Sequence, residues 1–175
     1  MALLHLITVK IRCYSQVQRK LRIMSDHSDT YSYSTAVGRG LGNAFATSGE
    51  GRITALRVWE LTNNYITGFQ LKYDYYWHPI VGRNVSNMVE MTLFEGETFV
   101  QVSGKYNPSN YISQLLFVTN RGRSLVAGQP TGFSFNHYPA HSVEELRLLS
   151  GRADNNGITA LGAHWGTLDR NETDS

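Results

Sequence analysis

The sequence predicts an all-β fold, and three observations carry that prediction. Aromatic residues and glycine are frequent, with 10 Tyr, 7 Phe, 3 Trp and 16 Gly against 4 Pro among 175 residues, which is typical of strands joined by glycine turns. Turn signals recur at intervals of roughly ten residues, as in sandwiches, barrels and prisms. No segment combines helix caps with an apolar stripe of three turns. The nearest helix candidate surrounds Glu144 and Glu145, and it is short.

Alternation of apolar and polar side chains locates the individual strands. Residues 65–73 and 89–93 alternate in this way, which predicts half-buried strands, whereas residues 115–118 are more continuously apolar. A short strand is expected at Ala44, after a glycine-rich turn. The other predicted strands cover residues 53–59, 99–103, 123–127, 143–149 and 158–165.

The chain length indicates one domain with tails. Residues 1–30 are predicted to be a leader or flexible segment, and three interpretations of it stay open. It is a poor signal peptide, because its charges follow the apolar run; it suits an organelle presequence, because no acid precedes Asp26; or Met24 is the true start. Residues 25–36 are expected to be a loose lead-in, residues 31–166 the folded domain, and residues 167–175 a disordered tail.

Charge and motifs narrow the functional classes. From Asp26 onward, 11 basic and 14 acidic residues give a net charge of −3, so bulk charge gives no support to nucleic-acid binding. Cys13 is the only cysteine, which excludes a disulfide framework and a thiolate zinc site. The 6 histidines lack metalloprotease spacing, and no Gly-x-Ser-x-Gly elbow occurs. We therefore expect no metal, no cofactor, no catalytic residue and no membrane span.

Six segments, in order along the chain, resemble the jacalin-related lectin family, and within it the animal zymogen-granule lectins. They are residues 51–58 (Gly-Arg-Ile-Thr-Ala-Leu-Arg-Val), 82–84 (Gly-Arg-Asn), 101–106 (Gln-Val-Ser-Gly-Lys-Tyr), 117–123 (Phe-Val-Thr-Asn-Arg-Gly-Arg), 150–152 (Ser-Gly-Arg) and 162–165 (Gly-Ala-His-Trp). The resemblance implies a β-prism of three four-stranded sheets with pseudo-threefold symmetry, with the terminal strands in one sheet.

A repeated tetrapeptide adds a more specific expectation. Ile-Thr-Ala-Leu occurs at residues 53–56 and again at residues 158–161, and both copies open a run that ends in tryptophan. Such an echo indicates internal symmetry. Together with the resemblance, it leads us to expect residues 54–59 and 158–165 in one sheet.

The resemblance also implies a sugar site built from three loops at one end of the prism. From the residues alone, the glycine-rich loop is either a flexible turn or a loop whose N–H groups can approach a ligand closely. No helix follows it, so a dinucleotide cradle is not expected. The glycine-rich loop matches Gly38, Arg39, Gly40, Leu41 and Gly42, the recognition loop matches Lys105 and Tyr106, and the binding loop matches Asp154, Asn155, Asn156, Gly157, Ile158 and Thr159.

The binding loop departs from the family pattern. In the family this loop follows Gly-x-x-x-Asp, and its aspartate accepts hydrogen bonds from two sugar hydroxyls. Here the loop is one residue longer, and Thr159 stands at the aspartate position. Charge-assisted hydrogen bonds are roughly twice as strong as neutral ones, so we expect weak mannose binding, with Asp154 and Asn155 as candidate replacements.

Two binding functions follow from these observations. The first is a non-catalytic lectin, secreted or held in a secretory granule by resemblance, with the sequences Asn84-Val85-Ser86 and Asn171-Glu172-Thr173 as glycosylation acceptors if the chain is secreted. The alternative is a module that binds glycosaminoglycan or granule matrix through basic residues near the sugar end. Ordinary solvated side chains are the competing interpretation of these basic residues, which are Arg39, Arg52, Arg57, Arg83 and Lys105.

Overall fold

A computed structural model describes residues 30–167. The segments predicted as leader (except Thr30) and tail (except Thr167) lie outside these residues. All regular structure within residues 30–167 is β, as the sequence predicts. The strands, in chain order, are β1 (Tyr31–Gly38), β2 (Asn43–Ala46), β3 (Ile53–Glu60), β4 (Ile66–Tyr73), β5 (Tyr76–Trp77), β6 (Val81–Gly82), β7 (Asn87–Thr92), β8 (Phe99–Tyr106), β9 (Ile112–Thr119), β10 (Ser124–Gly128), β11 (Phe133–His137), β12 (Glu145–Ala153) and β13 (Ile158–Gly166).

The strands form three antiparallel sheets that enclose one core. Sheet I has the order β1-β13-β12-β2, sheet II has β5-β4-β3-β7, and sheet III has β10-β9-β8-β11. Apolar side chains from all three sheets meet between them, and the largest include Phe69, Phe117 and Trp165, each at most 1% exposed. The expected prism is confirmed.

Sheet II differs from the expected four strands. Both β5 and β6 pair with β4, one with Lys72 and Tyr73 and the other with Gly68 and Phe69, so this sheet has five strands. The outer strand is interrupted near Pro79, which has no N–H group to donate to a ladder. One outer strand is thus split into two short ones.

The repeated tetrapeptide does not place its two strands together, and that expectation is wrong. The first copy lies in β3 of sheet II, and the second lies in β13 of sheet I. Both are central strands, since β3 pairs with β4 and β7 while β13 pairs with β1 and β12. The echo therefore reflects the same buried central environment in two different sheets. The strands that share sheet I are the terminal ones, β1 and β13, which pair from Tyr31↔Gly166 onward.

The expected loose lead-in is also wrong where the structure describes it. From Tyr31 onward the chain forms β1, an edge strand of sheet I. The polar composition of this segment does not indicate a strand, because β1 buries little side-chain surface. Tyr31 and Tyr33 are 65% and 46% exposed. Main-chain pairing to β13 holds it, and both tyrosine rings lie against His164, with centroids 5.9 and 4.4 Å away.

Each sheet sends two loops to the same end of the prism. A central turn joins the two central strands, and an outer loop joins the two outer strands. The central turns are residues 154–157 in sheet I, 61–65 in sheet II and 107–111 in sheet III, and the outer loops are residues 38–42, 82–86 and 128–132 in the same order.

The outer loops are attached to the sheets by one repeated main-chain bond. The N–H of the loop's second residue donates to the carbonyl of the second residue of the neighbouring central strand. The pairs are Arg39 N to Thr159 O (2.8 Å), Arg83 N to Thr67 O (2.8 Å) and Gln129 N to Ser113 O (2.7 Å). The preceding residue is always a glycine with positive φ, at 113° for Gly38, 76° for Gly82 and 84° for Gly128.

A side-chain hydroxyl completes each attachment. Thr159 Oγ1 donates to Leu41 O (2.6 Å), Thr67 Oγ1 donates to Val85 O (3.3 Å), and Ser113 Oγ donates to Thr131 O. All three hydroxyl residues are buried. We call this arrangement the hydroxyl clamp.

The close approach at the clamp yields a stability prediction for Gly82→Ala. A Cβ at Gly82 overlaps the carbonyl oxygen of Thr67, whereas a Cβ at Gly122 meets open space, and the two glycines have nearly equal φ of 76° and 75°. Both variants carry the cost of a positive φ, about 1–2 kcal/mol. Overpacking adds about 1–3 kcal/mol at Gly82 alone. Urea unfolding should show this difference, and equal losses in the two variants would contradict the clamp geometry.

Candidate functional site

The three central turns meet at the loop end of the prism. The rings of Tyr65 and Tyr111 stack with centroids 4.1 Å apart and planes inclined by 23°. The hydroxyl of Tyr111 donates to Asp154 Oδ2 at 3.1 Å. Gly157 lies so close to the Tyr65 ring and to Ile66 O that a Cβ there would collide with that oxygen. These contacts bring one residue of each turn to a common point.

Asp154 supplies a carboxylate where the three central turns meet. Its Oδ1 accepts from the main-chain N–H groups of Asn156 (2.8 Å) and Gly157 (3.1 Å), which shapes the turn. Partial burial by itself would raise the pKa of Asp154, but these two bonds, the Tyr111 hydroxyl and the charge of Arg39 together hold the pKa below its ordinary value. The carboxylate is therefore ionised at neutral pH.

The glycine-rich outer loop of sheet I faces the Asp154 turn. Gly42 lies so close to the main chain of Ala153 and Asp154 that a Cβ there would collide with the Ala153 carbonyl. Arg152 Nη1 donates to Gly42 O at 2.8 Å. Within residues 30–167, the main-chain N–H groups of Gly40 and Leu41 make no hydrogen bond. We call the space between this loop and residues 154–157 cleft I.

Two of the predicted binding-loop residues form the floor of cleft I. Ile158 and Thr159 are both 0% exposed, and the Thr159 hydroxyl is used by the clamp to Leu41. Asn155 and Asn156 are exposed beside them. The structure thus gathers residues 38–42 and 154–157 around cleft I, with Thr159 beneath the loop.

The recognition-loop residues lie at the end of β8, before the turn that reaches cleft I. Lys105 Nζ donates to Ser134 Oγ at 2.8 Å, and the Tyr106 ring lies 5.9 Å from that of Phe133. The residue of this segment that reaches Asp154 is Tyr111, five positions further along. Tyr111 was not among the site residues predicted from the sequence.

The five basic residues do not form one patch. Arg52 precedes β3, whose opposite end at Glu60 lies near the central turns, so at roughly 3.3 Å per residue Arg52 is about 25 Å from that end. Its guanidinium pairs with Glu145 at 2.6 Å. Arg57, midway along β3, pairs with Glu90 at 2.6 Å and stacks 3.9 Å from the Trp77 ring. The structure therefore does not bring Arg52 or Arg57 to the loop end of the prism.

The other three basic residues are differently placed. Arg39 and Arg83 belong to the outer loops of sheets I and II, and Lys105 lies near the turn of sheet III. None of the three forms a salt bridge within residues 30–167.

A second cavity at this end was not anticipated. It has a volume of about 210 Å³ and lies between the central turns of sheets II and III and the outer loop of sheet III. Its lining includes Asn64, Tyr65, Asn110, Tyr111 and Gln129. We call it cleft III. The sequence signal for this cavity is a dipeptide, Ile-Thr or Ile-Ser, that recurs at even spacing. Its three copies begin at residues 66, 112 and 158.

Two further surveys cover only the described part of the chain. No group of three or more His, Cys, Asp or Glu side chains there could hold a metal ion. Among residues 30–167 there is also no helix with the length and hydropathy needed to cross a bilayer.

Comparison with known proteins agrees with this architecture. A family model described as a jacalin-like lectin domain matches residues 34–164. The chain belongs to the jacalin-like lectin family. It is similar to zymogen granule membrane protein 16 of Rattus norvegicus, with 41% identity over 146 residues that cover 82% of this chain and 85% of that protein.

Solved structures show the same fold. A prostate-specific WGA16 glycoprotein lectin matches with a TM-score of 0.69 and 28% identity, covering 79% of this chain and 100% of that one. A mannose-binding lectin from Champedak matches with a TM-score of 0.67 and 23% identity, covering 78% and 96%. The predicted family and the β-prism are both confirmed.

The contacts of Asp154 predict a pH effect of Tyr111→Phe. Removing the phenolic hydroxyl removes one donor to the carboxylate, so the pKa of Asp154 should rise toward its ordinary value. A lowered carboxyl pKa contributes stability above the ordinary pKa, and this contribution is lost as the pH falls through the lowered value. In Tyr111→Phe this contribution should therefore be smaller, and its loss on acidification should be complete at a higher pH than in wild type.

An NMR titration of the Asp154 carboxyl carbon measures this shift directly. Tyr106→Phe is the matched control, because the Tyr106 hydroxyl makes no hydrogen bond within residues 30–167. An unchanged Asp154 titration in Tyr111→Phe would refute the assigned contact.

Proposed function

We propose that this protein is a non-catalytic lectin whose cleft I binds neutral glycans, weakly for each sugar unit. The observation that carries the proposal is the pairing of free main-chain donors with an ionised acceptor. The N–H groups of Gly40 and Leu41 are unused within the described chain, and the Asp154 turn lies directly across the cleft. Sugar hydroxyls both donate and accept, so they can satisfy both sides.

The weakness follows from how Asp154 is already used. A carboxylate offers about four acceptor sites. Three of them take hydrogens from Asn156, Gly157 and Tyr111. One site remains for a sugar hydroxyl, whereas the family aspartate serves two. Thr159 contributes none, because its hydroxyl is buried and donates to Leu41.

The similar proteins support the same function and compartment. One is named as a zymogen granule membrane protein and another as a glycoprotein lectin. We extend to this chain the association with secretory granules that the first name indicates. Asn84, which opens the sequence Asn84-Val85-Ser86, is exposed in the outer loop of sheet II, as a glycosylation acceptor must be.

The sugar site predicts that Thr159→Asp strengthens mannose binding. Its carboxylate oxygens lie one bond further from the main chain than a threonine hydroxyl, and they supply a charged acceptor at the family position. A hydrogen bond to a charged group contributes about 1.5–3 kcal/mol, or roughly 10- to 100-fold in affinity. Calorimetric titration of methyl α-mannopyranoside into wild type and Thr159→Asp measures the gain.

Two controls separate the alternatives. Thr159→Val removes the clamp hydroxyl at equal size and should not improve binding, so a gain in both variants would point to loop release alone. Asp154→Ala tests the substitute acceptor. Tight wild-type binding that Asp154→Ala abolishes would show that Asp154 already replaces the family aspartate, against our account.

Polyanion binding is the second candidate, favoured by three basic residues at the loop end that form no salt bridge within residues 30–167. If Arg39, Arg83 and Lys105 act together, the triple alanine variant should lose retention on heparin. Wild-type retention should also weaken with salt, because exposed charges are screened over about 8 Å at physiological ionic strength.

The matched control removes the same charge elsewhere, with Arg57, Lys72 and Arg121 replaced by alanine. This variant should be retained like wild type on a heparin column eluted with sodium chloride. Equal losses in the two triple variants would mean that net charge, and not a patch at the loop end, governs retention.

A further inference from the structure

A large cavity lies at the end of the prism opposite to the central turns. Strand β4 begins at Ile66, next to the central turn of sheet II, and ends at Tyr73. At roughly 3.3 Å per residue, Tyr73 is about 20–25 Å from the loop end. The cavity has a volume of about 640 Å³, and it is lined by Ser48, Gly49, Glu50, Tyr73, Asp74, Tyr75, Tyr76 and His78. We call it the distal cavity.

The floor of the distal cavity is built on Tyr73, which is 2% exposed. Its ring lies so close to Gly49 that a Cβ there would overlap it. Its hydroxyl donates to Arg147 O at 2.8 Å, and the His78 ring packs edge-on against the Tyr73 ring with centroids 4.8 Å apart. A tyrosine that is held by both its ring and its hydroxyl thus gives the cavity an aromatic floor.

The tight turn between β4 and β5 holds two further tyrosines in solvent. Asp74 opens this turn with a φ of 46°, which is uncommon for a residue other than glycine. Three hydrogen bonds fix it there: Asp74 N donates to Arg52 O (2.8 Å), Arg52 N donates to Asp74 Oδ1 (2.9 Å), and Thr54 Oγ1 donates to Asp74 O (2.6 Å). Tyr75 and Tyr76 follow, 85% and 74% exposed. The turn therefore presents two aromatic rings that the fold does not bury.

The charge around the distal cavity is negative. Glu50 and Asp74 line it, and no Lys or Arg does. Neither carboxylate forms a salt bridge within residues 30–167, and the nearby guanidinium of Arg52 pairs with Glu145. In the same part of the chain, Glu50 accepts no hydrogen bond and Asp74 accepts one at Oδ1 alone. Acceptor capacity and negative charge are thus left for a ligand.

Aromatic faces beside carboxylates form the chemistry that recognises an organic cation. The quadrupole of an aromatic ring attracts a cation placed over its face, and aromatic cages bind quaternary ammonium groups in this way. The volume of about 640 Å³ lies within the ~300–1,000 Å³ range of small-ligand pockets. An anionic ligand would meet two carboxylates here and no Lys or Arg among the lining residues.

We propose that the distal cavity binds an organic ammonium cation. The rings of Tyr75 and Tyr76 contact its alkyl groups, and the carboxylates of Glu50 and Asp74 balance its charge. The site shares no residue with cleft I and lies at the other end of the prism. The inference is therefore independent of the proposed lectin function, and a cation and a glycan can be bound at the same time.

Three small molecules test the charge requirement in proton–nitrogen NMR titrations of the full chain. Choline carries a quaternary ammonium group, n-butylammonium ends like a lysine side chain, and 3,3-dimethylbutanol is the neutral isostere of choline. At least one cation should shift the main-chain signals of Glu50 and residues 74–78 in a saturable way, and more weakly at high sodium chloride because salt screens the attraction. The neutral alcohol should not shift them. The cation with the higher affinity identifies the preferred ammonium class.

Four single variants test the location. Tyr75→Leu and Tyr76→Leu should each weaken cation binding by about 2- to 5-fold, as expected for an exposed cation–π contact. Glu50→Gln and Asp74→Asn should weaken it by up to about 5-fold, and asparagine keeps both the size and the positive φ of Asp74.

Two matched controls remove the same groups outside the cavity lining. Tyr138→Leu removes an exposed ring, and Glu95→Gln removes an exposed carboxylate. Both should bind the cation like wild type. An unchanged main-chain spectrum away from each substitution verifies folding.

The possible results have distinct meanings. Saturable shifts with a cation alone, weakened in the cavity variants, support the proposal. Equal shifts with the neutral alcohol would show an apolar pocket and overturn the cation site. Cation shifts that are unchanged in all four cavity variants, or equally weakened in the controls, would overturn the location. No saturable shift with either cation would overturn the proposal and leave cleft I untouched, because the mannoside titration tests that cleft separately.

Discussion

The loop end of this prism depends on one repeated constraint, the hydroxyl clamp. In each sheet a buried Thr or Ser holds the outer loop through its hydroxyl, while the carbonyl of the same residue accepts an N–H from that loop. A buried hydrogen bond contributes only about 0.5–1.5 kcal/mol net, but leaving its partner unsatisfied costs more. Two such bonds in each of three sheets therefore fix where the loops face one another.

The clamp explains the departure at residue 159. Thr67 and Ser113 occupy the equivalent positions in sheets II and III, and their hydroxyls likewise donate to carbonyls of the outer loops. Thr159 thus gives cleft I the same floor as the other two sheets, at the position where the family pattern has a carboxylate. The nearest carboxylate is that of Asp154, and hydrogen bonds within its own turn occupy much of its acceptor capacity. In the lectin function that we propose, recognition at this end relies on the main-chain donors of Gly40 and Leu41 and on the acceptor site of Asp154 that its own turn leaves free.

The fold was predictable from sequence and much of the site was not, for physical reasons. Alternation located the buried central strands well, because burial imposes a pattern on sequence. Edge strand β1 was not predicted, because it is held mainly by main-chain hydrogen bonds, which impose no alternation on its side chains. The repeated Ile-Thr-Ala-Leu did not predict a shared sheet, because buried central strands of different sheets favour similar residues. Arg52 and Arg57 illustrate the last limit: their distance from the loop end follows from strand direction, which composition does not encode.

The most direct test of the account is a crystal structure of the protein with a branched mannose trisaccharide. The account predicts a sugar ring at the loop end, on the N–H groups of Gly40 and Leu41 beside Asp154. It also predicts that the Thr159 hydroxyl stays on Leu41 O. Sugar bound on the outer face of a sheet would contradict the account, as would a Thr159 side chain that leaves Leu41 to contact the sugar.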